Sequence, residues 1–217
     1  MRLILTMFQK RTLNKKMEIG DFFSFGSKLA STNVQVSAID LGTDENGISD
    51  HSKLIKGQFD GISFPVVFKQ KRKGKFNDIL DTGWANLFII SENIKKILEN
   101  YKLTGWKLFP IKLYDLNGKE IEGYYGLSIL GQCGQTNYEA SPIIEKRKVP
   151  NGPLSKYYKD LSFDMWGGSD FFTPDKTYQI FITKKVAEIL KNHKITNLQI
   201  ESLSEKETPI SHVRNNA

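Results

Sequence analysis

Residues 87–106 read LFIISENIKKILENYKLTGW, and 92 positions further on the chain reads QIFITKKVAEILKNHKITNL. A fold for this chain has to accommodate one phrase twice, and that requirement constrains it more than any other feature. Between residues 90 and 104, six of fifteen positions are identical: Ile90, Ile97, Leu98, Asn100, Lys102 and Thr104 recur as Ile182, Ile189, Leu190, Asn192, Lys194 and Thr196. Ser91, Ile94 and Leu103 recur conservatively as Thr183, Val186 and Ile195. The density of matches favours duplication over two independent uses of one unit. Two copies are too few for a solenoid, in which three or more stacked units share a continuous core.

The phrase has physical content. An apolar run rich in Ile and Phe reads as a buried strand, and Ser91 or Thr183 then offers a side-chain oxygen to the unpaired amides of a new helix. Ile94, Ile97, Leu98 and Tyr101 follow at i, i+3, i+4, i+7, which places them on one helical face; Val186, Ile189, Leu190 and His193 repeat it. Leu103-Thr104 and Ile195-Thr196 each open a return segment.

Strand signals dominate elsewhere. The first third carries short apolar clusters between turn residues, with little helix signal before residue 76, and Pro65 in FPVVF marks a strand start or an edge. In WKLFPIKLYDLNGKEIEGYYGLS a two-residue Asn117-Gly118 turn would oppose Asp115 to Glu120, which repel. A type I turn from Asp115 with Gly118 left-handed and a bulge instead sets Asp115 opposite Lys119 and Leu113 opposite Ile121, and that register is expected. PIIEKRKV and KDLSFD read as further strands. The expected fold is α+β, with a β-rich amino-terminal part and a mixed or antiparallel sheet on which the two strand-helix units pack. The expected division is 1–76, 77–204, and a flexible tail at 205–217.

The formal charge of +7 is unevenly placed. Residues 1–16 carry +5 and KQKRKGK at 69–75 another +5, so the remainder is mildly acidic. Lysine and arginine clusters suit nucleic-acid phosphates, but no aromatic interrupts segment 69–75 to stack on bases, so nucleic acid is an unfavoured partner. One cysteine, Cys133, rules out an internal disulfide framework. No run approaches the ~20 apolar residues needed to span a bilayer, and the expectation is a cytoplasmic protein with no membrane partner.

Catalytic readings find little support. His51 lies in a polar stretch, His193 occupies the helical face matched by Tyr101, and His212 stands near the end; no two share ligand spacing on a helix. Cys133 in LGQCGQ lacks a local basic partner and reads as a structural thiol. TDENGISD lacks the ligand order and closing Glu of a calcium loop. Trp166-Gly167-Gly168-Ser169-Asp170 matches neither phosphate-binding glycine pattern and is either a tight turn or a contact loop. No catalytic residue, metal or cofactor is expected. Composition and loop context single out Trp166, Ser169, Asp170, Arg72 and Lys73 as partner contacts. One asymmetry concerns the helix starts: Glu92 suits its helix dipole, whereas Lys184 and Lys185 oppose theirs, by about 0.3–1 kcal/mol for a charge so placed. An acidic group docking there would offset them.

DILDTGWANLFIISENIKKILENYKLTGWKLFPIKLYD, with its strand, Ser before a helix, Leu-Thr-Gly and return strand through Pro110, resembles the family-eleven immunity proteins of bacterial polymorphic toxin systems. GSDFF at 168–172 and the unit ending in Ile195-Thr196-Asn197 resemble the family's carboxy-terminal portion, so the likeness spans roughly residues 64–204. Many relatives have Gly where Lys102 and Lys194 stand here, at the left-handed residue that stops the helix. The resemblance implies a cytosolic non-enzyme that binds and blocks a cognate toxin, while leaving the contact residues unspecified. A nucleic-acid-associated protein using segments 1–16 and 69–75 is the competing reading.

Overall fold

The computed structural model describes residues 19–28, 30–163 and 165–210. The basic segment 1–16 and residues 211–217 of the expected tail lie outside the described residues. In chain order the elements are β1 (Phe22–Ser27), β2 (Gln35–Ala38), α1 (Asp50–Lys56), β3 (Val66–Arg72), β4 (Ile79–Asp81), β5 (Phe88–Ser91), α2 (Glu92–Asn100), β6 (Trp106–Phe109) and β7 (Ile111–Tyr114). There follow β8 (Tyr124–Ile129), β9 (Gly131–Cys133), β10 (Thr136–Asn137), β11 (Ile143–Arg147), β12 (Leu154–Tyr158), β13 (Ser162–Phe163), β14 (Phe171–Pro174), β15 (Ile180–Thr183), α3 (Lys184–Asn192), β16 (Leu198–Ser202) and β17 (Thr208–Pro209).

The expected α+β class is overturned. Among the described residues seventeen strands stand against three helices of seven, nine and nine residues, so the protein is β-rich. The larger sheet has seven strands in the order β6-β8-β5-β4-β2-β3-β7. Its two edge strands, β6 and β7, are separated in sequence by Pro110 alone, whose carbonyl accepts from the Val66 amide at 3.1 Å. One stretch of chain therefore serves as both edges, and the sheet curls into a nearly closed, barrel-like form that leaves little edge exposed. The second sheet has five strands, β16-β1-β15-β14-β9, and two small sheets, β11-β12-β17 and β10-β13, are built from the chain between β9 and β14 together with β17.

The doubled phrase belongs to a larger equivalence. Five strands of the barrel-like sheet, β6-β8-β5-β4-β2, match β16-β1-β15-β14-β9 one for one. The hairpin pair Ile79↔Ile90 corresponds to Phe171↔Ile182 at the same offset, and in both sheets the last neighbour in this run is parallel. Strand β1 takes the place in its sheet that β8 takes in the other: Leu127 lies opposite Phe88 and Leu108, as Phe25 lies opposite Ile180 and Ile200. From these strands the chain crosses over, β8 leading to β9 in the second sheet and β1 to β2 in the first. Each frame is thus completed by the other's stretch of chain, and residues before position 77 serve both sheets.

Alternation along the strands sorts the core into layers. Ile79, Phe88, Ile90 and Leu127 from one sheet meet Phe25, Phe171, Ile180 and Ile182 from the other, with Ile94, Ile97 and Leu98 of α2 and Val186, Ala187 and Leu190 of α3 in the same cluster. Leu80 and Ile89 point instead into the barrel with Phe68, Phe109 and Leu113, while Leu54 and Ile55 of α1 join that interior cluster. Phe172 and Phe181 face the opposite side, with Phe22, Cys133 and Leu203. Gly126 lies directly under the Phe109 ring, where a Cβ would overlap it.

Several expectations hold. The Asp115 amide donates to the Lys119 carbonyl at 2.9 Å and the Ile121 amide to Leu113 at 2.8 Å, with Gly118 at φ 80°, which is the bulged register. Lys102 and Lys194 are both left-handed, at φ 48° and 52°. Others are corrected. Ser91 accepts from the Ile94 amide as a cap, but the Thr183 side chain makes no cap bond and turns to Asp170. The first third contains α1, which begins at the Ser49 cap and stops at left-handed Gly57. After Leu203 the chain adds β17 to β12, opposite Tyr157 and Tyr158.

Candidate partner-binding surface

The loop before α1 is shaped by Asp44, whose carboxylate accepts from the Asn46 and Ile48 amides at 2.9 Å each and pairs with Lys53 at 2.7 Å. The turn delivers Ser49, whose hydroxyl oxygen accepts from the Ser52 amide, and the helix follows. Leu54 and Ile55 face inward, with Ser128 of β8 donating to the Leu54 carbonyl, so α1 is fixed against the barrel wall and its other face stays outward.

Two equivalent loops converge on that face. From the β4–β5 loop, Trp84 stacks on His51 with ring centroids 3.6 Å apart and remains 50% exposed. From the β14–β15 loop, Tyr178 donates to the Ser52 hydroxyl at 2.9 Å, with the Lys56 ammonium 5.3 Å from its ring centre. Leu130 packs against Gly57 while 46% exposed. Beyond the helix, Phe59 meets exposed Phe64 at 5.2 Å and carries the Lys107 ammonium 4.4 Å over its ring. Exposed Trp84, Tyr178, Leu130 and Phe64 thus stand on or just beyond α1, with Lys56 and Lys107 lying over the Tyr178 and Phe59 rings.

His51 is buried beneath Trp84, and its Nε2 has no hydrogen-bond partner among the described residues. Burial lowers its pKa, against a smaller opposing pull from Asp50. The ring therefore favours the neutral form. The reading of His51 as part of a polar loop is corrected: it is a helical residue in an aromatic stack. His193, which the sequence places on the helical face matched by Tyr101, is exposed and meets that counterpart, Nε2 to hydroxyl, at 3.2 Å. Cys133 is buried and its thiol is pushed up to about 12, by burial first and by Asp175 second, which makes it a poor nucleophile. Among the described residues no group of three or more His, Cys, Asp or Glu is placed to hold a metal ion.

The residues singled out in sequence do not form one site. Trp166 is half-buried, packs edge-on against Phe22 at 5.1 Å and donates from Nε1 to the Ser169 carbonyl. Asp170 accepts from the Thr104 amide and hydroxyl at 2.9 and 3.1 Å and from the Thr183 hydroxyl at 3.3 Å. It also lies 3.9 Å from Lys185, so the charge that offsets the lysines at the start of α3 comes from within the chain. Ser169 is half-buried beside Gly105 and Gly131. Arg72 and exposed Lys73 belong to the end of β3, where Arg72 donates to the carbonyls of Ala30 and Asn33.

What sequence reasoning missed is the surface built on α1. Its signals were present, with Ser49 as cap and Gly57 just past the last helical residue, but only seven residues lie between them. The sequence model of the immunity protein family Imm11 matches residues 21–205. The chain belongs to this family. The match extends the resemblance seen from residue 64 back through β1, β2 and α1, so both loops and the helix they meet lie within the immunity-protein region. No curated protein matches the chain. Among the described residues, no helix is long and apolar enough to cross a membrane.

Proposed function

We propose that the protein is a non-catalytic immunity protein that acts in the cytosol, binding a cognate polymorphic toxin and blocking its activity. The observation that supports this reading is the family match over residues 21–205. The mechanism it suggests is occlusion by a largely preformed surface, with aromatic anchors contributing affinity and charges setting association rate and partner choice. Arg72 with Lys73, and Trp166 with Ser169 and Asp170, are candidate contacts within it. Co-expression with the toxin domain encoded by the neighbouring reading frame tests the reading. Cells carrying both should grow, cells carrying the toxin alone should not, and failure of the protein to restore growth would reject toxin neutralisation.

Nucleic-acid association keeps one specific observation, the exposure of Lys69, Lys71, Arg72, Lys73 and Lys75 along and beyond β3. A mobility shift with random duplex DNA or RNA that weakens steeply with salt would favour it. No shift at low salt removes it.

A further inference from the structure

We infer that the face built on α1 by Trp84, Tyr178, Leu130 and Phe64, with Lys56 and Lys107, is where the toxin docks, and that the toxin presents carboxylates beside an apolar ridge there. The inference rests on the toxin-binding reading and adds the surface and the chemistry of its partner.

Composition is the first argument. Half-exposed Trp84 and exposed Tyr178 meet one short helix at adjacent residues, each tethered by a contact, to His51 and to Ser52. Aromatic side chains held in place lose little freedom on binding and supply most of the energy in central interface patches. Leu130 and Phe64 extend the apolar surface past the end of α1.

Charge is the second. Lys53 of the same helix is paired with Asp44, but Lys56 and Lys107 have no carboxylate partner within ion-pair distance among the described residues. Each rests over an aromatic ring instead, Tyr178 and Phe59 respectively. An ammonium on a ring face is positioned without being neutralised, so both remain available to an acidic partner. The same charges disfavour a second copy of the chain on this face. A two-fold contact would bring like patches together in a molecule that already carries +7.

His51 is the third. An imidazole nitrogen buried without a partner weakens the fold, and an apolar residue would fill the space beneath Trp84 without that penalty. Its presence under the most prominent aromatic of the face marks the place as one where packing alone did not set the residue.

Affinity of the purified protein for the neighbouring-frame toxin domain tests the inference, with Trp84→Ala, Tyr178→Ala, Lys56→Glu and Lys107→Glu beside Arg72→Glu/Lys73→Glu. Each aromatic truncation should weaken binding about 30-fold or more, and the two charge reversals together by a similar factor with a reduced association rate. The lysine variants alter exposed side chains, so they report on docking even where Trp84→Ala disturbs the His51 stack. The Arg72→Glu/Lys73→Glu variant puts the candidate contacts at the end of β3 on the same scale and should lose less affinity than the paired reversal at Lys56 and Lys107. If the parent binds and the α1-face variants bind equally well, the surface is wrong while the toxin-binding reading stands. Loss confined to the Arg72→Glu/Lys73→Glu variant overturns the inference in favour of the β3 end. A parent that neither binds nor protects removes both.

Discussion

Asp78 fastens parts of the chain that are 118 residues apart. Its carboxylate accepts from the Thr196 amide and hydroxyl at 2.9 and 2.8 Å and from the Ser91 hydroxyl at 2.7 Å, while its own amide donates to the Thr196 hydroxyl oxygen. Asp170 does the same with Thr104 and Thr183, so each aspartate ties its own helix start to the turn of the other unit. Burial pushes the Asp78 carboxyl up, but the bonds from Thr196, Ser91 and Asn93 outweigh it and hold the group below its usual range. A carboxyl depressed by folding stabilises the native state above its unfolded value, and that stabilisation is lost as pH falls through the folded value. Asp78→Ala should therefore destabilise by about 2–3 kcal/mol at neutral pH and flatten the acid limb of the stability profile, measured by denaturant titration. His51 adds a second pH dependence of the same sign at higher pH. Its folded value lies below its unfolded one, so stability is fullest above the unfolded histidine value and is lost as pH falls through the folded one. His51→Gln should remove that part of the profile. Neither role was read from sequence, though the aspartates could have been found. They stand at the repeat offset, twelve residues before the first matched position, but the intervening loops match poorly. A stack such as His51 on Trp84 joins residues with no local relation and leaves no sequence signal.

Elements were legible where one local rule decides them. The Asp115–Lys119 turn followed from charge and glycine placement, and the two repeat helices from their apolar period, with a side-chain cap formed only by Ser91. Their ends carry a removable strain, because Lys102 and Lys194 adopt a conformation that glycine takes without penalty. Lys102→Gly and Lys194→Gly should each raise stability by up to about 1 kcal/mol, read from the denaturation midpoint. The opposite is expected at Gly126, where Ala would push into the Phe109 ring at the closing point of the barrel. Gly126→Ala should lower stability by about 3 kcal/mol or prevent folding, visible as loss of a cooperative thermal transition. The fold class was misread because the two longest periodic segments drew attention to helices, whereas strands of two to seven residues carry little periodic signal. Strand order was beyond reach for a different reason. That β1 sits between β15 and β16 depends on the completed second sheet, and nothing near residue 22 encodes it.

At the scale of the whole molecule, the reciprocal crossing means neither frame closes on local chain alone. Phe23 lies opposite both Ile182 and Ser202, and Gln35 opposite Asp81, so removing residues 1–28 withdraws a central strand from the second sheet. That deletion should leave no cooperative transition. Cys133 offers an independent measure, because its buried thiol is packed near Phe22 and held protonated up to about 12. Alkylation at pH 8 should be negligible in the intact protein and proceed at the rate of an unfolded thiol in the shortened one. The same crossing fixes when the molecule can exist at all during its own synthesis. Strand β1 has no seat until Ile180–Ser202 has been made, and pairings so distant along the chain form slowly. If the protein neutralises a toxin as proposed, unfinished chains would give no protection, and a cell would have to hold finished copies before the first toxin molecule arrives.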